Sequence, residues 1–264
     1  MIRLLFIGDI MGSAGRKAVA GSLESLVDTE RVDFVVANVE NAAGGFGITA
    51  GVLEELERYP VDVFTTGNHV WDKKEGVPLL DAHPALLRPA NYPDGNPGRG
   101  WCVEETAAGV PVAVVNLQGQ AMMPPINNAF HTADAVLEEI REQRPDVRII
   151  LVDMHAEATS EKQGMGFFLD GRVTAVLGTH THVPTADERI LPNGTAFQTD
   201  VGMTGPYESV IGMKPKKVLE RFLYNTPRPF EPAKRDLQLR GALIDADEAT
   251  GTATAIRRVK VDVG

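Results

Sequence analysis

Cysteine is the scarcest informative residue in this chain of 264 residues. Cys102 is the only one, which excludes an internal disulfide framework and a zinc site built on thiolates. No apolar run approaches the ~20 residues that a membrane-spanning helix needs. The first segment, MIRLLFIGDIMG, has about five apolar residues before its Gly-Asp pair, too few for the hydrophobic part of a secretory signal. We therefore expect a soluble, cytoplasmic protein.

Positive charge is also in short supply. The chain has 26 Lys and Arg against 36 Asp and Glu, a net charge of −10. A large non-specific nucleic-acid surface needs a basic face, so the charge balance argues against one. Residues 214–235 are an exception, with seven basic and two acidic side chains. A solvated helix followed by a proline-rich turn explains that stretch, and we expect no membrane partner and no strong nucleic-acid surface.

Short β-branched or apolar runs alternate with segments of helical periodicity, which predicts a largely parallel sheet covered by helices. The predicted strands are 4–7, 34–37, 61–65, 112–115, 149–152 and 173–177. The predicted helices are 16–29, 49–58, 132–143 and 159–169, with Thr49 and Thr132 as candidate N-caps. Residues 236–246 and 252–262 alternate in polarity and predict an antiparallel hairpin. No linker or repeat interrupts the pattern, so we expect one mixed α/β domain over 1–264.

Polar side chains follow five of the predicted strands at their carboxyl ends, where parallel α/β sheets bind ligands. Four of the six histidines of the chain are among them. Single residues of this kind have ordinary explanations as turn or cap residues, but together they predict a metal site. On an extended backbone His180 and His182 would project to the same side and face one centre. The residues are Asp9, Glu40, Asn41, Asn68, His69, His155, His180 and His182.

The chemistry of these side chains narrows the choice of metal. They offer imidazole, carboxylate and amide groups without a thiolate, which suits Mn²⁺, iron or catalytic Zn²⁺ better than a closed structural zinc site. About seven candidate ligands are too many for one tetrahedral ion and fit two ions that share a carboxylate. Two-metal sites serve phosphoryl displacement, in which a bridging hydroxide attacks phosphorus and both ions stabilise the charged oxygens.

The order of the motifs resembles the calcineurin-like metallophosphoesterases. Asp9 in a Gly-Asp turn, Gly67-Asn68-His69, the isolated His155 and Gly178-Thr179-His180-Thr181-His182 follow the sequence of motifs in that family. Each motif is weak alone, whereas the ordered set is specific.

Three departures from the family pattern indicate a subfamily. Met11 stands where the usual first motif has a ligand histidine, Glu40 replaces the bridging aspartate of the second motif, and Gly178-Thr179 is inserted before the last histidine pair. With the segments 153–162 and 200–212, these departures resemble the YmdB-type bacterial phosphodiesterases.

The resemblance implies a four-layer α/β/β/α sandwich with mixed sheets and activity on cyclic nucleotides such as 2′,3′- and 3′,5′-cAMP. It implies a centre of two divalent or iron cations, with iron or manganese preferred and zinc as an alternative. The first metal would be held by Asp9, Glu40, Asn41 and His182. The second would be held by Glu40, Asn68, His155 and His180, with Glu40 bridging. Asn41 would partly replace the histidine missing at Met11, and His69 would be the catalytic histidine.

Tyr207 is a weak candidate for stacking on the base of a substrate. The edges of the C-terminal hairpin and the loop Met122-Met123-Pro124-Pro125 favour self-association, so we expect a homo-oligomer.

Two other functions stay open at this point. A phosphomonoesterase would use the same metals, although the motifs contain no Arg or Lys that would hold a dianionic phosphate, which favours a diester. A regulatory nucleotide- or RNA-binding protein with a vestigial metal site would act through 214–235. The complete set of ligand residues argues against that third hypothesis.

Overall fold

The computed structural model describes residues 1–264, which form twelve β-strands, six α-helices and one short 3-10 helix, Lys74–Gly76. The strands are β1 Ile2–Ile7, β2 Phe34–Asn38, β3 Val63–Thr65, β4 Trp101–Glu105, β5 Pro111–Gln118, β6 Ile149–His155, β7 Ala175–Thr179, β8 Arg189–Ile190, β9 Ala196–Gln198, β10 Gly205–Pro206, β11 Leu237–Ala246 and β12 Ala253–Val263. The helices are α1 Gly12–Glu30, α2 Ala50–Leu56, α3 Leu79–Ala82, α4 Ala129–Gln143, α5 Thr159–Phe168 and α6 Pro215–Tyr224. Every predicted strand, helix and hairpin arm is present, with bounds within four residues of the predicted ones.

The strands form two mixed sheets of six strands each. The first has the order β10-β11-β1-β2-β3, with β12 paired to β11, and its β1, β2 and β3 run parallel. The second has the order β4-β5-β6-β7-β9-β8, in which β5, β6, β7 and β9 run parallel. The predicted hairpin, β11 and β12, adds to the first sheet antiparallel to β1.

Alternation of side chains along the strands produces the layers, because successive residues of a strand point to opposite faces. On β1, Leu4 and Phe6 belong to an apolar cluster that also contains residues of the second sheet, whereas Leu5 and Ile7 pack with side chains of α1 and α2. Alternate residues of β5 divide in the same way between the cluster shared by both sheets and one shared with α4 and α5. The predicted four-layer α/β/β/α sandwich with mixed sheets is therefore confirmed.

The start of helix α4 differs from the prediction. Its N-cap is Asn128, whose side-chain oxygen accepts hydrogen bonds from the backbone N–H groups of Phe130 and His131. Asparagine is among the strongest N-cap residues, so the helix begins there and Thr132 lies inside it. Thr49 does occupy the N-cap position of α2, but its side chain makes no capping hydrogen bond.

None of the helices combines the length and the apolar composition that a membrane crossing requires. The basic stretch contains α6 and then no helix or strand until β11, in keeping with the predicted helix and proline-rich turn. A single domain over 1–264, a homo-oligomer and a cytoplasmic location stay predictions.

Candidate metal centre

The carboxyl ends of strands from both sheets meet at one place. β1, β2 and β3 of the first sheet and β6 and β7 of the second end there. His155 is the last residue of β6, and its Nε2 is 3.0 Å from Oε1 of Glu40, which follows β2. The site is thus assembled between two sheets, whereas the strand-end argument from the sequence considered the rim of one.

His155 Nε2 faces three groups that can each accept its proton. It lies 3.0 Å from Glu40 Oε1, 3.1 Å from Asn68 Oδ1 and 3.1 Å from His180 Nδ1. One N–H proton satisfies one such acceptor well, whereas a cation can bind all of these lone pairs together. Ligand atoms ~2.1 Å from a six-coordinate ion stand ~3 Å apart. The spacing of these four atoms therefore fits a metal ion.

A hydrogen-bonded relay orients the imidazole of His155. Its Nδ1 is 2.8 Å from Thr179 Oγ1, and the same hydroxyl is 2.6 Å from Asp153 Oδ1. Because the carboxylate accepts the hydroxyl proton, the hydroxyl oxygen is free to accept the N–H of Nδ1. Nε2 is then the nitrogen that can take a metal. Metal-ligating histidines are commonly fixed in this way by their other nitrogen.

The other two histidines have their outer nitrogens held as well. His180 Nε2 is 3.1 Å from Glu157 Oε2, which leaves Nδ1 toward His155. His182 Nδ1 is 3.0 Å from the carbonyl oxygen of Ile211, and its Nε2 is 3.2 Å from Asn41 Oδ1. Both side chains therefore present their inner nitrogens to the centre.

The backbone that carries this pair is not extended as the spacing predicted. His180 and His182 have φ angles of 97° and 67°, in the left-handed region that non-glycine residues rarely adopt. The bend is held by Asp200, whose Oδ2 accepts from the backbone N–H of Thr181 at 3.2 Å and from its hydroxyl at 2.7 Å. The same oxygen is 2.7 Å from the buried ammonium group of Lys162. The two histidines converge because of this bend and not because of strand geometry.

Asp9 supplies an unpartnered carboxylate oxygen. Its Oδ1 is buried without a hydrogen bond, 3.9 Å from His155 Nδ1 and 4.0 Å from His182 Nε2. Burial raises the pKa of Asp9 more than the two histidines lower it. An unpaired carboxylate oxygen in the interior is costly, and a cation beside it removes that cost. The residues predicted for the first metal thus fit an ion, although they are more widely spaced than those around His155.

Strong electrostatic coupling links Glu40, His155 and His180. Burial alone would raise the pKa of Glu40, but the charge and hydrogen bond of His155 lower it to about 2. Burial would lower the pKa of His155, but Glu40 raises it to about 9. Burial and the neighbouring charge of His155 lower the pKa of His180 to about 3. A metal ion that binds His155 therefore competes with a proton at neutral pH.

Gly67 leaves the space in which these groups meet. A Cβ at this position would lie 2.2 Å from His155 Nε2 and 2.4 Å from Glu40 Oε2. Real Cβ atoms do not approach other atoms so closely, so any side chain would displace the cluster. The glycine of Gly67-Asn68-His69 therefore has a steric role.

His69 stands at the rim of the cluster and outside its core. Its Nδ1 is 2.8 Å from Asp72 Oδ2, and its ring meets Phe46 edge-on at a centroid distance of 5.0 Å. Its backbone N–H, not its ring, contacts the centre, by donating to Glu40 Oε2 at 3.1 Å. The ring of His69 therefore hydrogen-bonds to Asp72 and to none of the candidate ligands.

Met11 and Tyr207 take part in packing on one side of the centre. Met11 belongs to a small apolar cluster with Met203, Met213 and Val218, against which Tyr207 also packs. The Tyr207 hydroxyl donates to the carbonyl oxygen of Met203 at 2.9 Å, and its ring does not line the cavity at the centre. The candidate base-stacking residue therefore packs beside the centre without lining its cavity.

Several supporting residues had no role assigned from the sequence, although they lie in the motifs and segments on which the resemblance depends. Asp153 lies two residues before His155 on β6, a spacing that puts both side chains on one face and is a usable signal. Thr179 precedes the histidine pair and looks like an ordinary strand residue. Lys162 and Asp200 are 38 residues apart, and nothing local indicates that they pair.

We expect Thr179→Val to lower metal affinity by about 10- to 100-fold, the usual effect of removing a group that holds a ligand histidine. Valine keeps the shape of the side chain but has no hydroxyl, so Asp153 can no longer orient the imidazole of His155 through a hydrogen bond. Metal content would be measured by mass spectrometry after dialysis against graded chelator. Thr179→Ser keeps the hydroxyl and should retain wild-type affinity, and equal affinities in wild type, Val and Ser variants would contradict the relay.

Comparison with known proteins covers almost the whole chain. A family model described as "YmdB-like protein" matches residues 5–259. A protein of Bacillus subtilis (strain 168) named 2′,3′-cyclic-nucleotide 2′-phosphodiesterase is 45% identical over 261 residues, which are 99% of this chain and 97% of that protein.

Two solved structures have closely similar folds. A hypothetical protein from Thermus thermophilus superposes with a TM-score of 0.92 and 41% identity, over 100% of both chains. A structure described as a novel phosphatase, from Mycoplasma pneumoniae, gives a TM-score of 0.92 and 34% identity, over 99% of this chain and 94% of that one.

Proposed function

Because this chain belongs to the YmdB-like family, we propose that it hydrolyses nucleoside 2′,3′-cyclic phosphates in a metal-dependent reaction. It is a phosphoric ester hydrolase of the metallophosphoesterase fold, and the Bacillus subtilis relative carries the proposed activity in its name. The observation that carries the proposal is the convergence of Glu40, Asn68 and His180 on His155 Nε2, all within 3.1 Å. The 3′,5′-cyclic nucleotides are further proposed substrates, because the same kind of bond is broken.

The proposed centre holds two ions, with Glu40 between them. One ion would be held by Glu40, Asn68, His155 and His180, and the other by Asp9, Glu40, Asn41 and His182. Iron or manganese suits this mixture of nitrogen and oxygen ligands, and zinc is the alternative. When bound, such ions supply a nucleophile at neutral pH and stabilise negative charge on phosphate oxygens.

The proposed reaction adds water to phosphorus and breaks the bond between phosphorus and O2′. The departing O2′ takes up a proton and becomes a hydroxyl, and the phosphate stays on O3′. Asp72 holds Nδ1 of His69 at 2.8 Å, so Nε2 is the nitrogen that can deliver that proton. Asp72 is therefore a positioning residue in this proposal, and His69 is the general acid.

The scarcity of basic side chains near the centre favours a diester over a monoester as the substrate. Arg221 is the only lysine or arginine that lines the cavity, and its guanidinium carbon lies 5.1 Å from the centre of the Phe230 ring. A monoester carries a second negative charge on phosphate, and apart from the proposed metal ions only Arg221 in the cavity lining could help to balance it. A phosphomonoesterase is accordingly the second candidate.

The test compares bis-p-nitrophenyl phosphate with p-nitrophenyl phosphate on Mn²⁺-loaded protein. We expect chelator-sensitive turnover of the diester well above that of the monoester, followed by conversion of 2′,3′-cAMP to 3′-AMP. The opposite preference would make the protein a phosphatase. Two bound metals without turnover of either ester or of 2′,3′-cAMP would favour the regulatory hypothesis instead.

A further inference from the structure

A cavity of about 630 Å³ connects the metal centre with helix α6. Its inner end is lined by candidate ligands and His69, and its outer end mainly by apolar side chains and one arginine. The volume is within the range of small-molecule sites, which combine an apolar lining with a few polar groups. The cyclic phosphate would occupy only the inner end, so the outer end needs another part of the substrate to fill it.

One face of helix α6 forms the outer wall of the cavity. Val218, Arg221 and Phe222 are spaced i, i+3 and i+4, so they share one face of the helix, and all three line the cavity. Val218 is buried, whereas Phe222 is 73% exposed even though it lines the cavity. Most of that ring is therefore open to solvent. Its position at the edge of a cavity lets it form part of a ligand-binding surface.

Two further aromatic rings line the same cavity. Phe46 is partly exposed and touches His69, the proposed proton donor, at a ring distance of 5.0 Å. Phe230 supports the guanidinium of Arg221, which adds a flat cationic surface to the wall. The aromatic lining therefore extends from the reacting end of the cavity to its outer end.

We propose that this outer wall is the nucleobase subsite, with Phe222 as a stacking surface. The inference rests on the proposed function, because the base of a 2′,3′-cyclic nucleotide is joined to the same ribose as the reacting phosphate. A base one sugar ring away from the centre reaches the part of the cavity that faces α6. Aromatic side chains stack on any base, since every base has a π-face.

The side chains that line the cavity also predict which nucleobases the subsite accepts. Apart from the candidate ligand Asn41, the lining contains no asparagine or glutamine, and on the α6 wall only Arg221 could hydrogen-bond to the edge of a base. All four nucleoside 2′,3′-cyclic phosphates should therefore be substrates, with the purines preferred because they stack over a larger area. A cyclic phosphodiester without a base should be a much poorer substrate.

The decisive variant is Phe222→Ala, assayed on 2′,3′-cAMP and on glycerol 1,2-cyclic phosphate, which has the same five-membered phosphate ring without a base. We expect KM for 2′,3′-cAMP to rise about fivefold or more, the lower end of base–aromatic stacking, with a much smaller effect on kcat and on the glycerol ester. The exposure of Phe222 means that its truncation leaves the fold intact. Leu223→Ala is the matched control, because Leu223 is 74% exposed on the same helix and does not line the cavity.

Other outcomes would overturn the subsite. These are an equal rise in KM for both diesters, no rise for 2′,3′-cAMP, or the same change in the Leu223→Ala protein. If wild-type protein hydrolyses neither diester, the proposed function fails, and the subsite is then tested by binding. In calorimetric titrations of Mn²⁺-loaded protein, Phe222→Ala must weaken the binding of 3′-AMP and leave the binding of glycerol 2-phosphate unchanged. Any other pattern rejects the subsite.

Discussion

Replacement of Glu40 by glutamine is expected to abolish phosphodiesterase activity and to prevent the binding of two metals. Glu40 is buried, and its Oε1 lies 3.0 Å from His155 Nε2. Glutamine has nearly the same shape, but it removes the negative charge that both proposed ions share. We expect kcat/KM to fall by about 10³-fold or more, equivalent to ~4 kcal/mol of lost transition-state stabilisation.

Metal content and activity would be measured on the same Glu40→Gln preparation, with circular dichroism to confirm that the fold is retained. Glu57→Gln is the control, because Glu57 is partly exposed and pairs with His83 outside the site at 3.0 Å. That variant should keep wild-type metal content and turnover. Two metals per chain in the Glu40→Gln protein would count against the bridging role.

Replacement of His69 by alanine is expected to lower kcat for 2′,3′-cAMP by ~10²–10⁴-fold, the usual contribution of a general acid. The metals should remain bound, because the His69 ring is not among the groups gathered around His155. Its backbone N–H, which donates to Glu40 Oε2, is kept in the variant. The His69→Ala protein would therefore lose activity while it keeps its metals, whereas the Glu40→Gln protein would lose both.

The leaving group provides a second measurement on the His69→Ala protein. The alkoxide released from 2′,3′-cAMP needs a proton, whereas p-nitrophenolate leaves without one. The variant should accordingly lose much less activity on bis-p-nitrophenyl phosphate than on the cyclic nucleotide. His83→Ala is the matched control, because His83 also pairs with a carboxylate but lies outside the site. Loss of metal from His69→Ala at equal folding would instead make His69 a ligand.

The layers of the fold could be predicted because they depend on local patterns. Apolar runs such as 4–7 and 149–152 are buried on both faces, and strands of that kind read as continuous hydrophobic segments. The hairpin β11–β12 shows its alternation along the chain in the same way. β8, β9 and β10 have two or three residues each; β9 and β10 pair with the distant strands β7 and β11, and β8 pairs only with β9. Segments this short have no period of their own, so the sequence did not predict them.

In the candidate site, too, local sequence determined some features and the folded chain determined the others. The sequence by itself determined which side chains end the strands, and the structure brings Asp9, Glu40, Asn68 and the histidines 155, 180 and 182 together. Only the tertiary structure decided that two sheets share the site, and that Asp200 bends the backbone between the last two histidines. It also decided which nitrogen of each histidine faces inward. The physical reason is that strand formation depends on neighbours along the chain, whereas hydrogen bonds such as that from the His180 N–H to Asp9, across 171 residues, depend on the folded chain.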